Sequence, residues 1–271
     1  RQDFIHKKSG GIDLNKRYHN YGYFITNILK LLDNKLILSQ SIRHDSYSSF
    51  KDKTTWKLGG KFLIKDAYIS ANWGTAYNVP TPDQLYNTYW GNPNLAPENV
   101  LQWDISLGYK NFSITYFKSH IKNLIDYNFS TSKYSNFTGK SKIEGIEAKY
   151  SYYLNKLNTY LYLSYTYLDT KSPDGKELPR RPEHQIGFDL IWYPDENVNI
   201  GFSGVYVGNR KDIDGTQTGY YTVINAFSNM KISEKISTFL KINNITDKYY
   251  QTVNGYATEG RSVYAGVDIL F

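Results

Sequence analysis

An antiparallel transmembrane β-barrel is the fold class this sequence predicts, and three observations predict it. Apolar residues recur at every second position along most of the chain. The connections between these runs are alternately short and long. Aromatic residues make up 17% of the 271 residues, and 27 of them are tyrosines. Period-2 alternation is the strand signature, because successive side chains leave a strand on opposite faces. Tyrosine at this abundance suits a barrel in a membrane, where phenolic rings form girdles at both interfaces and line a wet interior.

Composition removes the main alternatives. Mean hydropathy is low, at -0.55, and no run of about 18 apolar residues occurs, so a helical membrane span is excluded. With no cysteine there is no disulfide framework and no thiolate metal site. The formal charge of +7 comes from basic residues scattered along the chain, without a cluster or a basic helix. Nucleic acid is therefore not expected as a partner. A mild cationic excess facing lipopolysaccharide phosphates or an anionic ligand accounts for the charge.

The alternation predicts a first strand near 1–7, then strands near 21–32, 35–45, 53–64, 66–78, 99–109, 112–129, 134–153, 157–169, 183–193, 198–210, 220–232, 236–246 and 261–271. Leu101, Trp103, Ile105, Leu107 and Tyr109 alternate with Gln102, Asp104, Ser106 and Gly108. Ile186, Phe188, Leu190 and Trp192 repeat the pattern, as do Val263, Ala265, Val267, Ile269 and Phe271. Every second connection is tiny: Asp33-Asn34, Lys65, Lys110-Asn111, Asn155-Lys156, Pro194–Asn197 and Ser233–Lys235. The intervening ones run 46–52, 79–98, 170–182, 211–219 and 247–260 and are mostly long. Short turns at one end and long loops at the other are the layout of an outer-membrane barrel, with the turns periplasmic and the loops extracellular. A soluble sandwich has no reason to adopt it. The whole of 1–271 reads as one barrel portion, because no linker or fixed-period repeat marks a boundary. The terminal Phe271, closing an alternating strand, is the expected signal for the barrel assembly machinery. Arg1 stands where an initiating Met and an export signal would be, so the chain is expected to be the later part of an exported protein.

Several segments carry a resemblance to a known family. Gly74-Thr-Ala-Tyr-Asn-Val-Pro-Thr-Pro-Asp-Gln-Leu-Tyr86 is followed by Tyr89-Trp-Gly-Asn-Pro-Asn-Leu-Ala-Pro-Glu98. Further on come Asn123-Leu-Ile-Asp-Tyr127, Tyr134-Ser-Asn136, Gly145-Ile-Glu147, Leu178-Pro-Arg-Arg-Pro182, Asn243-Asn-Ile-Thr-Asp-Lys-Tyr-Tyr250 and Gly255-Tyr-Ala-Thr-Glu-Gly-Arg261. In this order, over about residues 20–271, they resemble the TonB-dependent outer-membrane receptors, and within that class most nearly the cobalamin receptors. The resemblance implies a barrel of about 22 strands with a plug in its lumen. This chain would supply the last 13 or 14 strands, without the plug domain or the TonB box. It also implies a role as receptor and active transporter for cobalamin or a related metal chelate, located in the bacterial outer membrane and energised by TonB through the missing plug. A ferric-siderophore receptor is the close alternative, and a passive porin-like channel a more distant one.

Catalytic chemistry is not evident. His6, His19, His44, His120 and His184 lack metal-ligand spacing, and neither a nucleophile elbow nor a phosphate loop occurs. No enzyme activity, metal or cofactor is therefore expected, although a hydrolase on the barrel wall would leave no local signature. Ligand contacts are expected from the long loops. Tyr86, Tyr89 and Trp90 would present rigid apolar faces with polar tips to a large ligand; Tyr134 and Asn136, on facing long strands, are secondary candidates. Arg180, Arg181 and Arg261 would pair with carboxylates of plug or barrel, or meet an anionic group of the ligand. Asp212 and Asp214 supply two acids to one loop, short of the six or more oxygens that calcium requires.

Overall fold

The computed structural model describes residues 2–6 and 16–270, and almost all of its regular structure is strand. The strands are β1 (Gln2–His6), β2 (Lys16–Leu31), β3 (Leu36–Tyr47), β4 (Lys53–Ile64), β5 (Ala67–Asn78), β6 (Glu98–Tyr109), β7 (Phe112–Lys122), β8 (Ile125–Asn128), β9 (Lys133–Asn136), β10 (Lys140–Leu154), β11 (Thr159–Lys171), β12 (His184–Asp195), β13 (Val198–Val207), β14 (Tyr221–Lys231), β15 (Ile236–Asn243) and β16 (Ser262–Ile269). One five-residue helix, α1 (Pro82–Tyr86), interrupts them. Fourteen strands are hydrogen-bonded side by side in chain order, while β8 and β9 form a separate two-stranded sheet. Short and long connections alternate as the sequence predicts. Phe271, the expected assembly signal, lies outside the described residues.

Two departures from the predicted strands have local causes. The expected strands 112–129 and 134–153 are each broken, because Asn123 takes a left-handed φ of 58° and Gly139 a φ of 116°. Neither conformation continues a ladder. Tyr134 and Asn136 therefore stand on the short hairpin β8–β9 rather than on the long strands. Strand β2 starts at Lys16, well before the predicted 21, since its polar beginning is paired with β1 (Gln2↔Asn20 through His6↔Lys16) and carries no apolar alternation. The short turns do their work with positive φ: Leu32, Asp33 and Asn34 at 54°, 54° and 65°, Lys65 at 51° and Lys110 at 49°. Such values match the twist of a tight hairpin.

The chain divides into two compact units. The first comprises Arg1–Leu107, Tyr116–Glu144 and Thr170–Glu177. The second comprises Gly108–Thr115, Gly145–Asp169 and Leu178–Phe271. Within the first, Ile25, Ile42 and Trp56 stand opposite one another across β2, β3 and β4, and Leu58 faces Trp73 across β4 and β5. Ile25, Ile42, Leu58 and Trp73 are all exposed. The opposite face carries polar contacts, among them Asn72 Nδ2 donating to Asp104 Oδ2 at 2.9 Å.

The second unit is equally two-sided. Leu163, Phe188 and Gly204 align across β11, β12 and β13, and Leu240 faces Ala265 across β15 and β16. Between them on the other face lie Gln185, Asp189, Ser203 and Asn225. Three phenylalanines cover cross-strand glycines: Phe188 over Gly204, Phe227 over Gly201 and Phe239 over Gly266. A Cβ on any of these glycines would come within 2.4 Å of the ring, so the aromatic occupies the space a side chain would take. Across the described residues, exposed large apolar side chains far outnumber buried ones. In water such a surface would be unstable; in a bilayer it is the lipid contact.

Candidate ligand-binding loops

In the first unit the long connection from Asn78 to Glu98 folds around α1. Thr81 and Gln84 form a reciprocal capping box, with Thr81 Oγ1 accepting from Gln84 N at 3.2 Å and Gln84 Oε1 accepting from Thr81 N at 2.9 Å. Pro82 sits at the start of the helix, where its missing N–H costs nothing. Asp83 then organises the next turn. Its carboxylate accepts from Asn87 Nδ2 and from the Trp90 indole N–H, both at 2.9 Å. Gly91 follows, and any Cβ there would lie 2.4 Å from the Asn87 carbonyl oxygen.

The β8–β9 hairpin is stitched to this loop by uncharged amides. Asn136 accepts from Ala96 N and donates to the carbonyls of Ala96 and Asn123, each at 2.8 Å. Asn92 Nδ2 donates to the Tyr134 carbonyl at 2.9 Å, and Tyr134 N donates to the Trp90 carbonyl at 2.9 Å. Glu98 adds an acceptor for Ile125 N at 2.7 Å. Beneath lies a cluster of buried Tyr18, Val79, Leu85 and Leu95, with Tyr47, Phe50, Tyr77, Tyr86 and Tyr134 packed against it. Tyr18 closes it by donating to the Pro80 carbonyl at 2.7 Å.

Tyr86, Tyr89, Trp90, Tyr134 and Asn136 therefore come together in one loop platform, but they occupy it differently. Tyr86 and Tyr134 are partly buried in the cluster. The Asn136 amide and the Trp90 indole N–H have partners within the protein. Tyr89 alone of the five is largely exposed, at 65%, with its ring 6.0 Å from that of Trp90. Asp83, Asn87 and Glu98 organise the platform and escaped the sequence reading. The Thr81-Pro-Asp-Gln84 spacing is a capping signature that could have placed the helix.

The second unit builds its loops around a charge. Asp212, almost fully buried, accepts from Arg180 Nε at 2.5 Å, from Ile213 N at 2.6 Å and from Asn254 N at 2.5 Å. One carboxylate thus ties the segments 178–183, 208–220 and 244–261 within this unit. Burial pushes the Asp212 carboxyl up, but Arg180 and the two backbone N–H groups outweigh it, so it titrates below the ordinary aspartate value. Asp214 is held down as well, by Thr216 N and the Asn254 amide. Arg210 Nη2 donates to the Thr252 carbonyl at 2.6 Å. Arg180 pairs with a carboxylate of its own unit, one of the two partners the sequence suggested for the arginines. Arg181 Nη1 donates to the Pro179 carbonyl at 3.0 Å, and the exposed Arg261 donates its backbone N–H to Asp247 at 2.8 Å. Tyr220, Tyr249 and Tyr256 expose 61%, 73% and 72% of their surface from these loops. Tyr220 opens the predicted strand 220–232, and Tyr249 and Tyr256 lie in segments that carry the family resemblance, but none of the three was among the sequence-predicted ligand candidates.

An apolar outward face, a polar opposite face, tight turns at one end and ordered long loops at the other define an outer-membrane β-barrel. Residues 8–245 match the model of the TonB dependent receptor-like β-barrel family, and the chain belongs to that family. It is 30% identical over 249 residues to the vitamin B12 transporter BtuB of Vibrio cholerae serotype O1, a match covering 87% of this chain and 40% of BtuB. The chain thus spans less than half the length of the curated relatives it matches. Its fold is similar to that of the siderophore receptor PirA of Acinetobacter baumannii, with a TM-score of 0.77 and 18% identity over 94% of this chain and 46% of PirA. The ferric enterobactin receptor PfeA of Pseudomonas aeruginosa, in a mutant form in complex with enterobactin, gives a TM-score of 0.78 and 17% identity over 98% of this chain and 48% of PfeA. The family is one of receptors and transporters in the bacterial outer membrane.

Proposed function

We propose that this chain forms the C-terminal part of the barrel of a TonB-dependent importer for cobalamin or a related metal chelate. A 30% identity to a vitamin B12 transporter, over a match covering 87% of the chain, is the observation that carries the reading. The loops have the character such a site needs. Each unit by itself carries exposed rings on its loops: Tyr89 on the platform of the first, and Tyr220, Tyr249 and Tyr256 on the loops of the second. Arg181 and Arg261 add cationic groups that suit an anionic part of a cargo. Import would be energised by TonB acting on a plug encoded upstream.

Calorimetry on the full-length receptor tests this. Cyanocobalamin is expected to bind, and ferric catecholates to show no heat. Binding of a ferric chelate in place of cobalamin would transfer the assignment to a siderophore, the second reading, which the fold shared with PirA and PfeA prompts. Binding of neither would overturn it, and an upstream sequence without a plug would point to a passive pore.

A further inference from the structure

The outward face of the first unit carries a feature that cargo import does not call on. On β6 and β7 the rings of Trp103 and Tyr116 lie 5.4 Å apart, and on β4 and β5 those of Trp56 and Trp73 lie 4.7 Å apart. Such aromatics mark the boundary between acyl chains and head groups. Beyond Tyr116, toward the long-loop end, the same face of β7 carries Lys118, His120 and Lys122, and the same face of β10 carries Lys140, Lys142 and Glu144. The shared side follows from Glu144, which accepts from the Tyr116 hydroxyl at 3.0 Å and pairs with Lys118 at 3.1 Å and with Lys142.

Glu144 therefore neutralises part of this cationic strip, but not its upper end. A pocket of about 700 Å³ opens there, lined by Lys53, Lys122, Lys140 and His120 with Trp56 and Leu101 as apolar wall. Lys53 donates to the neutral Asn99 side chain at 2.5 Å. Among the described residues no carboxylate lies within ion-pair distance of Lys53, Lys122 or Lys140. Three uncompensated ammonium groups around one concavity, just outside an aromatic row, call for an anion that comes with an apolar part. Lysine suits this place because its stem lies along apolar surface while its head stays in the polar layer.

We propose that this pocket binds a phosphate group of the phosphorylated glycolipid in the outer leaflet, with an acyl chain running down past Leu101 and Trp56. Long loops are extracellular, so the pocket lies at the level of that leaflet's head groups. The proposal rests on the membrane placement of the family and is independent of which cargo the receptor carries.

The test uses the full-length receptor, delipidated in detergent and titrated with deep-rough lipopolysaccharide. Replacing Lys53, Lys122 and Lys140 together by Gln is expected to weaken binding by on the order of a hundredfold, about fivefold for each cation near an anionic surface. The same three changed to Arg keep the charge and are expected to stay within about threefold of the parent. Dephosphorylated glycolipid should bind the parent receptor as weakly as intact glycolipid binds the Gln variant. Inorganic phosphate should fail to displace the glycolipid. Heat-modifiable gel mobility establishes that each variant is an assembled barrel. Unchanged affinity in the Gln variant, or tight binding of dephosphorylated glycolipid, would overturn the proposal. Displacement by inorganic phosphate would overturn the lipid assignment in favour of a soluble anion. Cobalamin binding in the Gln variant, read separately, is expected to remain at the parent's value.

Discussion

The two units order their long loops by different physics. In the first, an apolar cluster under Tyr18, Leu85 and Leu95 is overlaid by amide stitches from Asn136 and Asn92, none of which titrates. In the second, one buried carboxylate on Asp212 gathers an arginine and two backbone N–H groups from three loops. A loop platform can thus be made rigid by burial with neutral hydrogen bonds, or by a charge with donors pointed at it. The first device is distributed, and apart from the Asp83 and Glu98 carboxylates that accept from Asn87, Trp90 and Ile125 it is built of groups that do not titrate. The second is concentrated in one group and can be removed by one proton.

The largest effect expected is from Asp212→Ala. It removes the common acceptor of three loops and should cost roughly 3 kcal/mol of local stability, held below the sum of its bonds because Arg180 is reachable by water. Hydrogen exchange should show lost protection over 211–217 and 252–256 and no change at the Trp90 platform. Loss at both would mean that the two devices are coupled. Next comes Asn136→Ala, which deletes three hydrogen bonds and should cost about 2 kcal/mol, confined to 94–98 and the β8–β9 hairpin. Asn136→Asp, which keeps the acceptor and loses the donors, should fall between the two.

Acid should separate the units without any mutation. The Asp212 carboxyl titrates below its ordinary value in the folded loops. Its stabilisation is therefore complete above about pH 4, the unfolded value, and is lost as the pH falls through the lower folded value. The second unit's loops should loosen only below that ordinary range, while the Asn136 stitches persist. Simultaneous loosening would show that the Asn136 stitches depend on the Asp83 or Glu98 carboxylate. The smallest structural effect is expected from Tyr89→Ala, within about 0.5 kcal/mol since the ring is mostly in water. If the proposed cargo site is right, cobalamin affinity should nevertheless drop severalfold in calorimetry.

The strands were legible because their signal is local. Leu101 to Tyr109 and Val263 to Ile269 announce their faces by alternation alone, and the turns at Asp33-Asn34 and Lys110-Asn111 are short enough to leave no choice. What stayed hidden depends on partners distant in sequence. Nothing near Asn123 or Gly139 says that two long strands will break there, since the compensation is Asn136 bonding across to Ala96 and Asn123. Likewise Asp212 gave no sign of reaching Arg180, 32 positions away, or Asn254, 42 positions away. The candidate Trp90 was visible as an aromatic in a loop, but its bond to Asp83 required the helix that the capping box begins.

The exposure of Ile25, Ile42, Leu58, Ile105 and Val267 has a consequence for how such a chain changes over time. A core residue must match the shape of its cavity, so its replacements are few. A residue whose neighbour is a fluid acyl chain has no cavity to match, and Ile, Leu, Val or Phe serve it nearly alike. Half of each spanning strand is thereby released from shape and held only to oiliness. The backbone path can then persist while the letters drift, and a TM-score of 0.78 can coexist with 17% identity. In this molecule, the positions that resist drift are expected where shape returns: Gly204 under Phe188, Gly91 against Asn87, and the asparagines that hold the loops.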